Sequence, residues 1–285
     1  MLCHFLQIYL IMKKKSLILV VILSLCVSLF GCELSSGKFE FTTLYEKDVY
    51  KSSGITTSYN EQGLVNAVTT EKMSAIVTVY SEQYTDFFGI TVSSTSISQG
   101  SAGIFYCSDG VYYALTNNHV VCKDASYSSQ DIFVEDCYGN VYDAYVYQNP
   151  EKTVSAISPL YDLAVICFKA KEKLETLSLA SKNPVKNDTV VLVGTPEGQK
   201  NAILFANIIG YVVPNVEDSS TNKINFEVVT YDCSSKQGSS GGPIINNSLE
   251  IVGVHFGGGE TQTREYGGAV PILKVKEFLS NYCLS

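Results

Sequence analysis

Residues 238–243 read Gly-Ser-Ser-Gly-Gly-Pro, and this stretch is the strongest sequence signal in the chain. Glycines on both sides of a serine allow a tight turn that exposes the Ser240 hydroxyl and directs successive backbone N–H groups into one concavity. Such a concavity can stabilise an oxyanion. Because a Gly/Ser turn also commonly joins two strands, other residues must decide whether this turn carries chemistry.

Two further residues have the chemistry that a serine nucleophile requires. His119 follows the apolar run Tyr112–Thr116, where its imidazole could face a cleft and act as a general base. Asp162 directly precedes the apolar residues Leu163–Ile166, and a carboxylate there is costly unless its charge is paired. A histidine Nδ1–H is a suitable partner. Taken singly, His119 could be a hydrogen-bonded structural histidine and Asp162 a turn or cap residue.

The composition favours a strand-rich globular protein. The 285 residues are 46% hydrophobic and include 19 Tyr and 13 Phe against 7 Pro, which excludes collagen-like, coiled-coil and low-complexity chains. Short β-branched and aromatic runs between turn residues predict an all-β sandwich or barrel topology. The predicted strands form two groups, Ala75–Tyr80, Phe88–Ser93, Gly103–Cys107, Tyr112–Thr116, Ile132–Glu135, Val141–Tyr147 and Leu163–Phe168, then Thr189–Gly194, Ala202–Val213, Ile224–Tyr231, Pro243–Asn246, Leu249–Phe256 and Gly267–Pro271. Helical spacing of apolar residues in Ile272–Tyr282 predicts one terminal helix.

The amino-terminal segment indicates export. Lys13–Lys15 precede an uncharged run, Leu17–Gly31, that is short for a bilayer span and typical of the apolar region of a signal peptide. Met12 is therefore the expected start, and residues 1–31 are predicted to be removed; an uncleaved membrane anchor is the alternative. The remaining chain has 17 basic and 28 acidic side chains, a formal charge of −11 that makes nucleic-acid binding unfavourable.

Cys32 ends the sequence Leu29-Phe30-Gly31-Cys32, which resembles the lipoprotein box of bacteria. The resemblance implies cleavage before Cys32 and acylation of that residue, which would hold the protein on the cell surface or envelope membrane; a secreted protein is the alternative. Residues 32–72 are rich in Ser, Thr, Gly, Lys and Glu without a sustained period, so we expect a tether or a loosely attached arm.

Six cysteines lie in the domain that follows: Cys107, Cys122, Cys137, Cys167, Cys233 and Cys283. An exported protein can oxidise them, and the sequence alone does not choose among the possible pairings. They contain no CxxC pair, so they predict no zinc site. We expect neither a metal nor another cofactor.

The three motifs occur in the order His119, Asp162, Ser240, which is the order of chymotrypsin-type enzymes and differs from that of subtilisins and α/β-hydrolases. Through Thr-Asn-Asn-His-Val-Val, Asp-Leu-Ala-Val-Ile and Gly-Ser-Ser-Gly-Gly-Pro, the chain from Met73 onward resembles the trypsin-like serine endopeptidases of bacteria. The resemblance implies two six-stranded antiparallel β-barrels, expected at residues 73–175 and 176–285, with an active site in the cleft between them.

The same resemblance implies a role for each residue. Ser240 would be the nucleophile, His119 the general acid and base, and Asp162 the group that fixes the imidazole tautomer. The backbone N–H groups of Gly238 and Ser240 would form an oxyanion hole. The substrates would be proteins or peptides, cut through an acyl-enzyme.

Two subfamilies of these endopeptidases share features with the chain. Three segments of the chain resemble the high-temperature-requirement proteases of bacterial envelopes, namely Thr116–Val121, Ser101–Ile104 and Ala75–Val79. Those proteases usually carry a PDZ domain after the protease domain, whereas this sequence stops at Ser285. The resemblance implies a quality-control protease without a PDZ domain.

The second subfamily comprises the glutamyl endopeptidases and the exfoliative toxins. Ile251–Gly258 resembles their specificity segment, with His255 fifteen residues after Ser240, and Ser235 lies where they carry a hydroxyl residue. This resemblance implies a preference for Glu before the cleaved bond; a His255 that only forms the pocket wall is the alternative. The substrate-binding residues implied in this way are Ser234, Ser235, His255, Phe256 and Gly257. Ser234 occupies the position of the acid by which trypsin selects Lys or Arg, so cleavage after basic residues is not expected.

A function of a different class stays open at this point. A protease fold can serve as a binding protein, either as an adhesin or as an inactive homologue. The presence of all three candidate side chains argues against loss of activity, so the enzyme is the favoured hypothesis.

Overall fold

The computed structural model describes residues 61–87, 90–214, 224–233, 235–260 and 265–283, all of which lie in one compact unit. The predicted signal peptide, the predicted lipidation site Cys32, most of the predicted tether and Ser234 lie outside the described residues. None of the helices within the described ranges is both long and apolar enough to cross a membrane.

The first group of strands closes into a barrel. The elements up to residue 169 are, in chain order, α1 (Glu61–Ala67), a π-helical turn (Val68–Lys72), a 3-10 turn (Met73–Ala75), β1 (Ile76–Phe87), β2 (Ile90–Ser108), β3 (Val111–Thr116), α2 (Asn118–Val121), β4 (Ser129–Glu135), β5 (Val141–Val146), β6 (Gln148–Asn149), β7 (Val154–Ser155), β8 (Ile157–Ser158) and β9 (Leu163–Lys169). Six main strands pair in the order β3-β2-β1-β4-β5-β9, and the antiparallel pairing of β9 with β3 closes the ring.

The second group forms another closed barrel. Its elements are β10 (Ser178–Leu179), β11 (Thr189–Gly194), a 3-10 turn (Pro196–Gly198), β12 (Ala202–Val212), β13 (Val228–Tyr231), β14 (Pro243–Asn246), β15 (Glu250–Glu260), β16 (Glu265–Pro271) and α3 (Ile272–Tyr282). The strands pair in the order β15-β14-β11-β12-β13-β16, and β16 returns to β15 to close the barrel. The predicted all-β fold, with two six-stranded antiparallel barrels and a C-terminal helix, is confirmed.

Side-chain burial explains why these segments are strands. In β5 the burial alternates, with Tyr142 and Ala144 inside the barrel and Tyr145 exposed, as expected of a strand with one face in the core. The start of β9 is buried continuously from Leu163 to Ile166. Such runs are typical of strands that are covered on both faces.

The first hairpin is longer than the sequence predicts. The predicted strands Phe88–Ser93 and Gly103–Cys107 belong mainly to the single strand β2, and β1 continues seven residues beyond its predicted end at Tyr80. The intervening Ser- and Thr-rich residues lack the apolar alternation that marks a strand with one buried face. Their strand conformation rests on backbone pairing in the β1–β2 ladder, which the side-chain pattern does not reveal.

The predicted arm also differs from the structure at its carboxyl-terminal end. Helix α1 buries Leu64 and is followed by Val68, both of them 0% exposed, and it packs against β11 and β12 of the second barrel. With seven residues it is too short to show a periodic apolar pattern. The expectation of a loosely attached arm is therefore wrong for residues 61–72.

Candidate active site

His119 lies at the end of β3, on the one-turn helix α2. The strand ends at Thr116. In the helix, His119 is followed by Val120 and Val121, and both valines are buried. These apolar anchors fix the helix on the barrel, while 29% of the His119 side chain is exposed. The imidazole is thus held by a rigid element but stays accessible.

Asp162 is fully buried and pairs with His119. One carboxylate oxygen accepts a hydrogen bond from the His119 backbone N–H (3.0 Å), and the other accepts one from Nδ1–H of the ring (2.8 Å). The Asn117 side-chain amide donates to the Asp162 carbonyl (2.9 Å). Asp162 has a left-handed backbone with φ of 50°, a conformation that costs about 1–2 kcal/mol and that Asp tolerates better than most residues. The surrounding bonds therefore hold this carboxylate in one position.

Two opposing effects act on the pKa of His119. Burial disfavours the charged imidazolium and lowers the pKa, whereas the charge of Asp162 and its hydrogen bond both raise it. The effects of Asp162 win, and the pKa of His119 is raised above its ordinary value of 6.5. The pairing with Asp162 thus favours the protonated, imidazolium form of His119.

The backbone of the Gly-rich turn is tied at every carbonyl from residue 237 to residue 240. The bonds run from Glu197 N–H to Gln237 O (2.7 Å), from Ser101 Oγ to Gly238 O (2.8 Å), from Gly242 N–H to Ser239 O (2.9 Å) and from Ser101 N–H to Ser240 O (2.7 Å). Both barrels supply donors, because Ser101 lies on β2 and Glu197 follows β11. The turn is therefore rigid and depends on the contact between the barrels.

Two N–H groups of the same turn are left available. Within the described ranges, neither Gly238 nor Ser240 donates its N–H to a protein acceptor. A trans peptide directs its carbonyl and its N–H to opposite sides, so fixing the carbonyls of Gln237 and Ser239 also fixes the direction of the next N–H. Two such donors, oriented before any ligand binds, are suited to an oxyanion.

The turn and the histidine helix meet at closely packed glycines. A Cβ on Gly100 would lie 2.7 Å from a methyl group of Val120 and 2.9 Å from the Ser240 carbonyl oxygen. A Cβ on Gly241, whose φ is +84°, would lie 2.3 Å from Thr116 Oγ1. Ser240 and the end of β3 are therefore brought together across the cleft between the barrels.

His255 lies on β15 directly beside the turn. Its N–H donates to Gly242 O (2.9 Å), and its carbonyl accepts from Gly241 N–H (2.8 Å). The residue is 1% exposed, and its ring Nδ1 lies 2.5 Å from the Tyr231 hydroxyl and 3.0 Å from the Gly268 carbonyl oxygen. Burial lowers the pKa of His255 to about 3, so the imidazole is uncharged at neutral pH.

The other predicted pocket residues lie along the same strand or facing it. The Ser235 hydroxyl lies 2.7 Å from the position that a Cβ on Gly258 would occupy, which sets it against β15. Phe256 is 3% exposed, and Gly257 pairs with Gly268 of β16. Ser234 is outside the described residues.

Three residues of the site were not assigned a role from the sequence. Asn117 holds the backbone of Asp162, Ser101 holds the turn, and Tyr231 contacts the ring of His255. Asn117 precedes His119 by two residues, so its place in the motif was a usable signal. The contacts of Ser101 and Tyr231 join residues far apart in the chain, and nothing local marks them.

A two-barrel fold with His119, Asp162 and the Ser240 turn at the junction of the barrels defines the class of chymotrypsin-fold serine proteases. Residues 100–254 match the trypsin-like peptidase domain family, and the chain belongs to this family. The members of this family are hydrolases, the trypsin-like peptidases.

Curated relatives are of the HtrA type. The chain is 29% identical over 184 residues to the mitochondrial serine protease HTRA2 of Bos taurus, covering 64% of this chain and 36% of the relative. It is 27% identical over 221 residues to the serine protease Do-like HtrA of Lactobacillus helveticus, covering 74% of this chain and 50% of the relative. The chain thus spans half or less of the length of these relatives.

A solved structure supports the fold independently. The active form of the Rv3671c protease of M. tuberculosis matches with a TM-score of 0.60 and 19% sequence identity, covering 84% of this chain and 94% of that chain. At this identity the likeness concerns the fold alone.

Proposed function

We propose that the chain is a serine endopeptidase in which Ser240 attacks the scissile carbonyl, His119 takes and returns the proton, and Asp162 holds the imidazole. The proposal rests chiefly on the 2.8 Å bond between His119 Nδ1 and the buried carboxylate of Asp162. With Nδ1–H donating to Asp162, Nε2 is the nitrogen that can accept the proton of a serine hydroxyl. The N–H groups of Gly238 and Ser240 would bind the oxyanion of the tetrahedral intermediate.

A fluorophosphonate probe tests this proposal. An activated serine oxygen bonds to the phosphorus and displaces fluoride, whereas an ordinary serine does not react. We expect wild-type protein to be labelled, Ser240→Ala to be unlabelled, and Ser248→Ala, which changes an exposed serine on a surface turn, to be labelled like wild type. An unlabelled wild type would refute the enzyme and favour the inactive binding protein or adhesin.

Within this activity we propose a preference for Glu before the cleaved bond. It is supported by two polar side chains beside the turn, His255 and Ser235. An uncharged imidazole can still donate one hydrogen bond to a carboxylate, because one of its nitrogens carries a hydrogen while the other accepts a hydrogen bond. The Tyr231 hydroxyl, 2.5 Å from Nδ1, is suited to donate a hydrogen bond to that nitrogen and to leave Nε2–H for the substrate.

A specific observation favours a second candidate, a preference for aliphatic residues as in a quality-control protease. His255 is almost fully buried and its Nδ1 also faces the Gly268 carbonyl, which accepts but cannot donate. If Nδ1 carries the proton, Nε2 offers only a lone pair and repels a carboxylate. His255 would then form the pocket wall.

Matched peptides with Glu, Gln, Leu or Lys before the cut separate the two candidates. A Glu preference predicts that kcat/KM for Glu exceeds that for Gln and falls toward it in Ser235→Ala, while Ser248→Ala keeps the wild-type ratio. A profile led by Leu, unchanged in Ser235→Ala, would exclude the Glu preference and support the quality-control assignment.

We further propose that the protein is exported and anchored through a lipid on Cys32. The support is the Lys13–Lys15 cluster, the apolar run that follows it and the lipoprotein-like sequence that ends at Cys32. Mass spectrometry of the mature amino terminus is expected to find a diacylglycerol-modified Cys32. The Cys32→Ser protein is expected to be absent from the membrane fraction, where the wild-type protein is found. An unmodified terminus on soluble protein would refute the anchor and leave a secreted enzyme.

A further inference from the structure

Ser101 stands out because every polar atom it has is bonded to the site. It lies on β2 of the first barrel and is 0% exposed. Its N–H donates to Ser240 O (2.7 Å), and its carbonyl accepts from Thr116 Oγ1 (2.8 Å). Its hydroxyl donates to Gly238 O (2.8 Å) and accepts from the Thr195 N–H (3.0 Å). One residue thus joins the strand before His119, the nucleophile turn and the loop after β11.

We propose that Ser101 is a positioning residue for the oxyanion hole, acting through its hydroxyl. This inference rests on the proposed role of the Gly238 and Ser240 N–H groups. The Ser101 hydroxyl holds the Gly238 carbonyl, and its backbone N–H holds the Ser240 carbonyl, on either side of the peptide that carries the Ser240 N–H. The Ser101 hydroxyl also accepts a hydrogen bond from the Thr195 N–H, two residues before Glu197. The Glu197 N–H in turn donates to the Gln237 carbonyl, and the peptide of that carbonyl carries the Gly238 N–H.

The hydroxyl is needed because the turn is intrinsically free to rotate at this point. Gly238 has no side chain and a φ of +94°, so nothing in its own structure prevents its peptides from turning. The site is also too crowded for another group to replace the hydroxyl: a Cβ on Gly194 would lie 2.8 Å from Ser101 Oγ, and one on Gly238 would lie 2.3 Å from Thr195 O. Without the hydroxyl, Gly238 O and the Thr195 N–H lose their shared partner.

Loss of this positioning has a distinctive kinetic consequence. A substrate in its ground state gains little from the oxyanion hole, whereas the tetrahedral intermediate depends on it. Ser101→Ala is therefore expected to lower kcat roughly 10- to 100-fold with little change in KM, less than the full loss of a donor. A defect in substrate binding would instead raise KM.

A peptide aldehyde inhibitor provides the decisive readout. The Ser240 O–H adds across the aldehyde C=O to give a hemiacetal, whose oxygen occupies the oxyanion position. For Ser101→Ala, the inhibition constant of the aldehyde is expected to rise by the same factor as kcat/KM falls. The inhibition constant of the corresponding peptide carboxamide, which forms no adduct, is expected to stay within about twofold.

Two further variants complete the experiment. Ser101→Cys fills the position of the hydroxyl with a somewhat larger thiol that donates a hydrogen bond poorly. It is expected to show the same parallel loss, and it is the second variant to use if Ser101→Ala does not fold. Ser81→Ala is the matched control, because Ser81 is a 0% exposed serine of the same barrel whose hydroxyl bonds Gln130 instead of the turn. It is expected to match wild type in kcat and aldehyde affinity.

Several results would overturn the inference. These are wild-type aldehyde affinity in Ser101→Ala or Ser101→Cys, a loss of kcat without a parallel loss of aldehyde affinity, or an equal loss in Ser81→Ala. Failure of the proposed function is a separate outcome, because wild-type protein would then be inactive and unlabelled. An active wild type with an unaffected Ser101 variant refutes only the role of Ser101.

Discussion

Replacing Asp162 by Asn changes the proton on His119 while keeping the shape of the site. The His119 backbone N–H needs an acceptor and points at one carboxylate oxygen (3.0 Å), so the new amide must place its oxygen there. Its NH₂ group then faces Nδ1, at the position of the oxygen that lies 2.8 Å away in the wild type. Nδ1 becomes an acceptor, and the proton moves to Nε2, where it blocks transfer from Ser240.

The expected loss is large because the wrong tautomer removes the general base. The same exchange in a chymotrypsin-type triad lowers kcat about 10⁴-fold, and a comparable loss is expected here.

Removal of Asp162 also changes the pH profile. In the wild type the general base must be neutral, so activity is lost as the pH falls through the pKa of His119, which Asp162 raises above 6.5. In Asp162→Asn only the effect of burial remains, and the acidic limb is expected below pH 6.5.

The assay is kcat/KM for one peptide substrate between pH 4 and 9, together with the free energy of unfolding from urea denaturation. Asp136→Asn is the matched control, because Asp136 is a 2% exposed carboxylate of the same barrel whose bonds among the described residues go to its own turn and to Tyr142. It is expected to lose stability but to keep the wild-type pH profile. Activity of Asp162→Asn within tenfold of wild type, or an acidic limb that does not move, would refute the assigned role of Asp162.

Three other predictions concern packing and reactivity. Gly241→Ala is expected to cost far more stability than Gly110→Ala, measured by urea denaturation, because both glycines have a positive φ but only the Cβ on residue 241 would clash. That Cβ would lie 2.1 Å from a backbone oxygen of β2, whereas a Cβ on Gly110 would meet no described atom beyond its chain neighbours within 4 Å; equal losses would contradict the close packing of the turn. Leu64→Ala is expected to lower the free energy of unfolding by about 2–5 kcal/mol, because this side chain is 0% exposed in α1; a loss below about 0.5 kcal/mol would show that the helix is not docked. Iodoacetamide at pH 8 is expected to alkylate the exposed Cys107 well before Cys283, whose pKa burial raises to about 12; mass spectrometry that finds Cys283 modified first would contradict its burial.

The sequence predicts those parts of the fold that local patterns encode. The strand Thr189–Gly194 is predicted with its observed bounds because it is a short β-branched run that ends at a glycine, and the helix Ile272–Tyr282 because its apolar residues recur with helical spacing. Asp162 was singled out because a charge before a buried strand needs a partner, and its partner in the structure is His119. The long β1–β2 ladder could not be predicted, because main-chain pairing does not depend on side-chain pattern in a Ser- and Thr-rich segment.

Long-range contacts limit what the sequence can reveal about the site. Ser101 bonds a residue 137 positions away in the chain, and a serine on a strand is ordinarily a neutral choice. The state of His255 was equally hidden, because its low pKa follows from burial against Tyr231 and β16. The sequence therefore predicts which residues can react, while their protonation and alignment follow from tertiary packing.

The position of α1 has a consequence for the order in which the protein can be completed. The helix precedes the first barrel along the chain, yet it packs on β11 and β12 of the second. During synthesis from the amino terminus, helix α1 and its buried Leu64 therefore emerge early but must wait more than 100 residues for the strands on which the helix packs. Their burial is a late event, and its completion would report that the second barrel has formed.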